Sequence, residues 1–214
     1  MFYGVIHEGF YKSDPDIYYN KDKIDSRLIN LCFITGLGGS GKSTLSVELE
    51  SKNPNSEHVE MDEVVFNFRT NDINLFHSSL IREFFKTPIG RKYRKSKEEL
   101  FSNKNYLPSI TIDFINFAIQ YSNKYKNKLF IIDGVYIYQF VDPDMIRDYA
   151  IFIKGTSAII SANRAATRDA DNKHFDNEEE YNQYREKRLQ QIKAHYVENS
   201  KKLKAFINKL LRSK

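Results

Sequence analysis

Residues 28–44 read LINLCFITGLGGSGKST: an apolar run from Leu28 to Thr35, a glycine-rich turn from Gly36 to Gly41, then Lys42, Ser43 and Thr44. The run has the length and apolarity of a buried strand. Gly36 to Ser43 fits the pattern G-x-x-x-x-G-K-[ST] at every fixed position, and its context, after a strand and before a helix, is the one its chemistry requires. Glycines allow positive φ angles and bring backbone N–H groups together around phosphate oxygens. A helix N-terminus adds partial positive charge at the same point. Gly36, Gly38, Gly39, Ser40, Gly41, Lys42, Ser43 and Thr44 therefore form the expected cradle for a nucleoside triphosphate, ATP, with Lys42 as the mobile cation and the Ser43 hydroxyl as a ligand for Mg²⁺.

Working outward, a helix is expected from about Lys42 to Ser51, stopped by Asn53-Pro54. A short strand follows over Glu57–Met61 and ends at Asp62. Residues 72–86 and 97–126 read as helices, with Pro88 and Gly90 breaking the chain between them. In the second, Ile110, Phe114, Phe117, Ala118 and Tyr121 make one apolar stripe at helical spacing. Lys128–Ile132, before Asp133-Gly134, and Tyr149–Ile153 are further strands. Thr156 or Ser157 can cap a helix running to about Asp169. Asp176 with Glu179 resembles a capping box for a long charged final helix. Strands alternating with helices predict an α/β fold with a mainly parallel sheet and helices on both faces.

The length of 214 residues fits one α/β domain, taken as residues 28–214, preceded by an extension over residues 1–27 rich in Tyr and Phe. Within the extension, Phe2–His7 is expected as an added strand, because the last strand common in such folds has no counterpart near the C-terminus, where residues 197–212 read as helix. Hydrophobic residues at 41% and charged residues at 29% are the balance of a globular protein, which excludes a disordered chain. No stretch approaches the ~18 apolar residues of a membrane span. The first residues lack a leader's basic and apolar regions, so no membrane partner and a cytoplasmic location are expected. The single cysteine, Cys32, sits in the apolar run and reads as a core thiol; no Cys/His spacing suits zinc. The net charge of +5 suits an anionic substrate such as a nucleotide, and would also suit nucleic acid.

Several motifs give this chain a resemblance to the P-loop kinases of small molecules, the nucleoside and nucleotide kinase group, over roughly residues 28–170. The first is GLGGSGKST. Met61-Asp62-Glu63 looks like the acidic element that contacts the acceptor hydroxyl in uridine and polynucleotide kinases. Phe130–Asp133 with Gly134 is similar to the strand ends of adenylate kinases (D-G) and uridine kinases (E-G). Arg164-Ala-Ala-Thr-Arg168-Asp169 resembles the R-x-x-x-R-D lid of uridine-kinase-like enzymes. The chain departs from adenylate kinases after Asp133-Gly134, where it continues Val-Tyr-Ile rather than F-P-R. The residue after Asp133 is Gly134 rather than the glutamate of motor ATPases, and no N-K-x-D motif of GTPases is present. The resemblance implies the three-layer P-loop NTPase fold, an acceptor-binding region over residues 63–106 and a lid over 156–175.

It also implies a phosphotransferase. Phosphoryl transfer is accelerated chiefly by positioning and by neutralising charge. Asp62 would orient or deprotonate the acceptor hydroxyl, the lesser alternative being an aspartate that caps the next helix. Asp133 would hold Mg²⁺ directly or through water. Arg164 and Arg168, four residues apart, share one helix face and could clamp phosphate oxygens. Phe66, Phe68 and Tyr93 are available for stacking, with Arg69, Arg82 and Arg91 for anionic groups. His58, His77, His174 and His195 form no triad or metal pattern. The expected activity is transfer of the ATP γ-phosphoryl group, with Mg²⁺, to a nucleoside or nucleotide. A polynucleotide 5′-hydroxyl kinase is one alternative, less favoured because no long basic and aromatic surface demands nucleic acid. An ATP-dependent regulatory or interaction protein without turnover is the other.

Overall fold

The structure, a computed structural model, describes residues 15–25, 29–70 and 72–212. The strands are β1 (Ile17–Tyr19), β2 (Leu31–Gly36), β3 (Ser56–Glu60), β4 (Leu129–Asp133) and β5 (Ala150–Lys154), in one sheet of order β1-β5-β2-β4-β3. β3, β4, β2 and β5 run parallel, and β1 alone is antiparallel, paired to β5 through Tyr18 and Phe152. Central β2 is registered with both neighbours through Phe33, opposite Ile132 on one side and Ile151 on the other. Every residue of β2 and β4 is buried, which is why both read as continuous apolar runs rather than alternating ones.

Strand side chains alternate between two cores, as the pleat requires. Cys32, Ile34, Ile131 and Phe152 face one, joined by Ile24 of α1 (Lys21–Asp25) and by Leu45 and Leu49 of α2 (Lys42–Lys52). Leu31, Phe33, Val59, Ile132 and Ile153 face the larger one. That core is closed by α3 (Met61–Val65), α4 (Ser79–Lys86), α6 (Lys97–Ser102), α7 (Tyr106–Ser122), α8 (Tyr136–Phe140) and α9 (Pro143–Ile146), while the short α5 (Pro88–Arg91) packs on α4 and α7 from outside. α10 (Ala158–Asp171) and the 35-residue α11 (Glu178–Arg212) complete the chain, and α11 sends Leu203, Phe206 and Leu210 into the same core.

Several boundaries differ from the sequence expectation, each for a local reason. Met61 opens α3 instead of closing the second strand, so Asp62 lies in the first helical turn. The expected 72–86 helix splits into a 3-10 turn at Ile73–Leu75 and α4, whose start is fixed by Ser78 Oγ accepting from Ile81 N at 3.2 Å. The 97–126 segment splits at Asn103–Asn105, where Asn103 Oδ1 accepts from Asn105 N at 2.9 Å. Pro88 does interrupt the helical run, since Thr87 before it is extended and ends α4; the chain then restarts in the short α5, which Thr87 caps and where proline forfeits only an N–H that has no helical partner. The final helix is capped one residue later than expected, Asn177 Oδ1 accepting from Glu180 N at 3.0 Å. The strand expected at Phe2–His7 lies outside the described residues. The extension does add an edge strand, β1, where Asp16 accepts from Gly155 N at 2.7 Å and pairs with Lys154.

Candidate active site

The glycine-rich loop leaves β2 at Gly36 and enters α2 at Lys42. Gly41, the residue before the helix, has φ of 90° and Gly39 has φ of 73°, both in the left-handed region that side chains disfavour. Ser40 N donates to Leu37 O at 3.2 Å, and Lys42 Nζ reaches back to the same carbonyl at 3.0 Å. Two hydroxyls fix what lies beneath. Ser46 Oγ donates to Asp133 Oδ2 at 2.8 Å and lies 3.1 Å from Lys42 O, and Thr35 Oγ1 donates to Gly134 O at 2.9 Å. The ends of β2 and β4 and the first turn of α2 are thus tied into one frame.

Above this frame lies a cleft of about 470 Å³ at the carboxyl ends of β2, β3 and β4. One wall is the loop with Lys42, Ser43 and Thr44. The other is Glu60, Asp62, Asp133, Gly134, Val135 and Tyr136, with Arg168 at the side. Asp62 opens to solvent, and α3 has no side-chain cap bond at its start, so the capping alternative is not made. Loss of water against the cleft walls raises the Asp62 pKa; Lys42 opposes that shift and Asp133 adds to it. Burial lowers the Lys42 pKa, while Asp133 and Asp62 pull it back. Asp133 is 4% exposed and has His58 Nε2 at 3.3 Å from its Oδ2. Burial works against the charged His58 ring, but Asp133, Glu60 and Glu50 outweigh it and its pKa lies above the ordinary value. Glu60 is likewise pushed up, by burial and then by Asp133.

α10 and α11 back the loop from outside. Arg164 donates to Gly39 O at 2.9 Å and does not line the cleft, whereas Arg168, four residues on, does. The shared helix face therefore divides its two arginines, one binding the loop's backbone and one facing the cleft. Asp169 is held by Arg188 of α11 at 2.7 Å, with Arg168 Nε 4.0 Å away. Tyr196 of α11 lies over Gly38 so closely that a Cβ there would be 2.5 Å from its hydroxyl.

The 63–106 region contributes unevenly. Phe66 and Phe68 pack together with ring centroids 6.0 Å apart, Phe66 also meets Tyr136 of the cleft wall at 6.4 Å, and the Arg69 guanidinium lies 4.6 Å over Phe66. Tyr93 instead donates to Asp113 at 2.6 Å and stacks on Phe84, and Arg82 is turned to the carbonyls of Phe76 and His77. Arg91 sits on the exposed surface of α5. Sequence reasoning missed His58, Glu60, Tyr136 and Tyr196. Three of these flank motif residues in sequence, so their proximity was available; Tyr196 reaches the loop only through the docking of α11.

Among the described residues, no group of three or more His, Cys, Asp or Glu side chains is gathered to hold a metal alone. Mg²⁺ delivered with phosphates needs only one or two protein oxygens, which this cleft offers. No helix among the described residues is long and apolar enough to cross a membrane. Comparisons of the chain with protein-family models, with curated proteins and with solved structures found no match.

Proposed function

We propose that this chain is an ATP- and Mg²⁺-dependent phosphotransferase of the P-loop kinase type, acting on a small molecule of the nucleoside or nucleotide class. One observation carries the reading: Lys42, Ser43, Asp62, Asp133 and Arg168, from separate segments of the chain, line a single cleft at the carboxyl ends of parallel strands. Ligands of parallel α/β sheets bind at that end, where the order of the strands reverses: from β2 the chain builds β3 and β4 on one side and then crosses to β5 on the other. The strand order and the helices on both faces agree with a three-layer P-loop arrangement.

The residues present fit the ligands. Positive φ at Gly39 and Gly41 is the backbone that such a phosphate cradle needs, and α2 presents its N-terminus at the cleft. Lys42 would leave the Leu37 carbonyl for the outer phosphates. Ser43 would hold Mg²⁺, with Asp133, whose Oδ2 already serves Ser46 and His58, acting on the ion's water shell. The bound ion would neutralise phosphate charge. Arg168 supplies a further cation at the cleft's side, and Asp62 accepts the proton of an acceptor hydroxyl. Titration with MgATP tests the reading. Lys42→Ala should weaken binding at least about tenfold while the thermal transition stays that of a folded protein. Unchanged affinity in a folded Lys42→Ala protein would overturn it.

A further inference from the structure

Asp133 ends β4 with its backbone held on two sides. Gly134 N donates to Ile34 O at 3.0 Å and Thr35 Oγ1 donates to Gly134 O at 2.9 Å, which ties the turn after Asp133 to β2. On the other side a Cβ at Gly134 would stand 2.6 Å from Met61 Cβ, so the turn has no room to move that way. The side chain of Asp133 lies on the sheet face that α2 covers. Ile131, two residues back on the same strand, packs there with Leu45 and Leu49 of α2.

On that face the carboxylate meets a serine. Ser46 is completely buried in the second turn of α2, a place where alanine suits a helix better and brings no polar group out of water. Its hydroxyl has one proton and two acceptors nearby, the Lys42 carbonyl of its own helix at 3.1 Å and Asp133 Oδ2 at 2.8 Å. The carboxylate oxygen is both nearer and charged, so it takes the proton. His58, registered opposite Ile131 and so on the same face, brings Nε2 to 3.3 Å from the same oxygen. Both neighbours therefore gather on Oδ2. Asp133 Oδ1 accepts no hydrogen bond among the described residues and is not sealed from solvent. It is the oxygen left for the cleft, which Asp133 lines together with Ser43.

We propose that Ser46 is a positioning residue for the cation that accompanies the nucleotide. By holding Oδ2 it keeps Oδ1 of Asp133 presented to the cleft, and so sets how strongly Mg²⁺ strengthens the binding of ATP. The inference rests on the phosphotransferase reading and adds to it a residue outside the glycine-rich motif. Ser43 and Ser46, three apart on α2, share a helix face. The first is placed to touch the ion and the second to fix the carboxylate that acts on the ion's water. Without Ser46 the carboxylate is free to turn about its last torsion, which is broad and two-fold. Partners that orient a metal-holding group in this way are worth roughly 10- to 100-fold in metal affinity.

The test measures ATP affinity with excess Mg²⁺ and again with EDTA, alongside a thermal melt, for the unaltered chain, Ser46→Ala, Ser46→Cys, Asp133→Asn and Ser46→Ala/Asp133→Asn. Cysteine nearly keeps the volume of serine while donating only weakly, so it serves if the alanine variant does not fold. In the unaltered chain Mg²⁺ should strengthen ATP binding. Ser46→Ala and Ser46→Cys should lose about tenfold of the affinity measured with Mg²⁺ and almost none of that measured with EDTA. Because Ser46 acts through Asp133, adding Ser46→Ala to Asp133→Asn should remove nothing further from the Mg²⁺ effect. Affinity that falls equally with Mg²⁺ and with EDTA would make Ser46 a support of α2 and overturn the proposal. So would an unchanged Mg²⁺ effect in a folded Ser46 variant, or losses that add in the double variant. An unaltered chain that binds ATP equally well with and without Mg²⁺ would overturn the proposal and leave the nucleotide site standing. Failure of the unaltered chain to bind ATP under either condition would overturn the phosphotransferase reading beneath it.

Discussion

The proposed transfer gives the role of base to one carboxylate, Asp62. It stands in the first turn of α3 without capping it, faces Lys42 and Asp133, and has a pKa raised by the crowding of the cleft. A general base must be ionised to work, so the raised pKa places the acidic limb of a kcat/KM profile above the ordinary aspartate value of about 3.9, activity falling as pH drops through it. Asp62→Asn keeps the shape and removes the basicity. Transfer should slow roughly 10²- to 10⁴-fold with MgATP affinity retained, and stability should stay within about 0.5 kcal/mol because no cap bond is lost. If single-turnover transfer barely changes, Asp62 is not the base. Lys42, Asp62, Asp133 and Arg168 were legible because each closes a motif at a strand end or on a helix face. The division of labour between Arg164 and Arg168 was not legible: spacing four residues apart says they share a face but not what that face meets.

At the scale of elements, β3 is locked to α4 by Glu57. Its carboxylate accepts from Ser78 and Ser79 hydroxyls at 2.5 Å each and from Leu80 N at 2.8 Å, and it pairs with Lys128 at the start of β4. Burial works against this charge, but the four donors outweigh it and hold the Glu57 pKa below the ordinary value. A lowered pKa contributes stability that is present above the unfolded value, about 4.3, and is lost as pH falls through the folded one. Glu57→Gln should therefore cost about 1–3 kcal/mol at pH 7, and its gap from the unaltered protein in urea melts should narrow below about pH 4.3. A gap constant from pH 7 to pH 3 would show that the charge contributes nothing. β2, β4 and β5 were legible from their apolar runs, because parallel strands buried on both faces leave few polar positions. The helix breaks at Ser78 and Asn103–Asn105 were not, since caps inside a continuous helical pattern act through side-chain bonds that periodicity does not register.

Across the whole molecule, the cleft is assembled by docking that no local pattern encodes. α11 runs the length of one side, about 50 Å at helical rise. Arg188 holds Asp169 of α10, Tyr196 covers Gly38, and Asn199 accepts from Gln139 of α8 at 3.2 Å. Farther on, Lys209 pairs with Asp142 at 2.5 Å. The sequence announced a long charged helix in that place but not its partners: its buried residues, Asn199, Leu203, Phe206 and Leu210, gather toward its C-terminal end and mark an inward face without saying what that face meets. The edge strand β1 arises from the N-terminal extension in the same way, through pairing with β5 that Asp16 secures at Gly155. The proposed function turns on whether the cleft moves a phosphoryl group rather than merely holding a nucleotide. Release of ADP from MgATP, followed with and without nucleosides, nucleotides and 5′-hydroxyl oligonucleotides, decides it. A phosphotransferase should release ADP at least about a hundredfold faster with the right acceptor, in step with label appearing on that acceptor. ADP release that is the same with every acceptor and with none would mean the cleft binds ATP without transferring its phosphate.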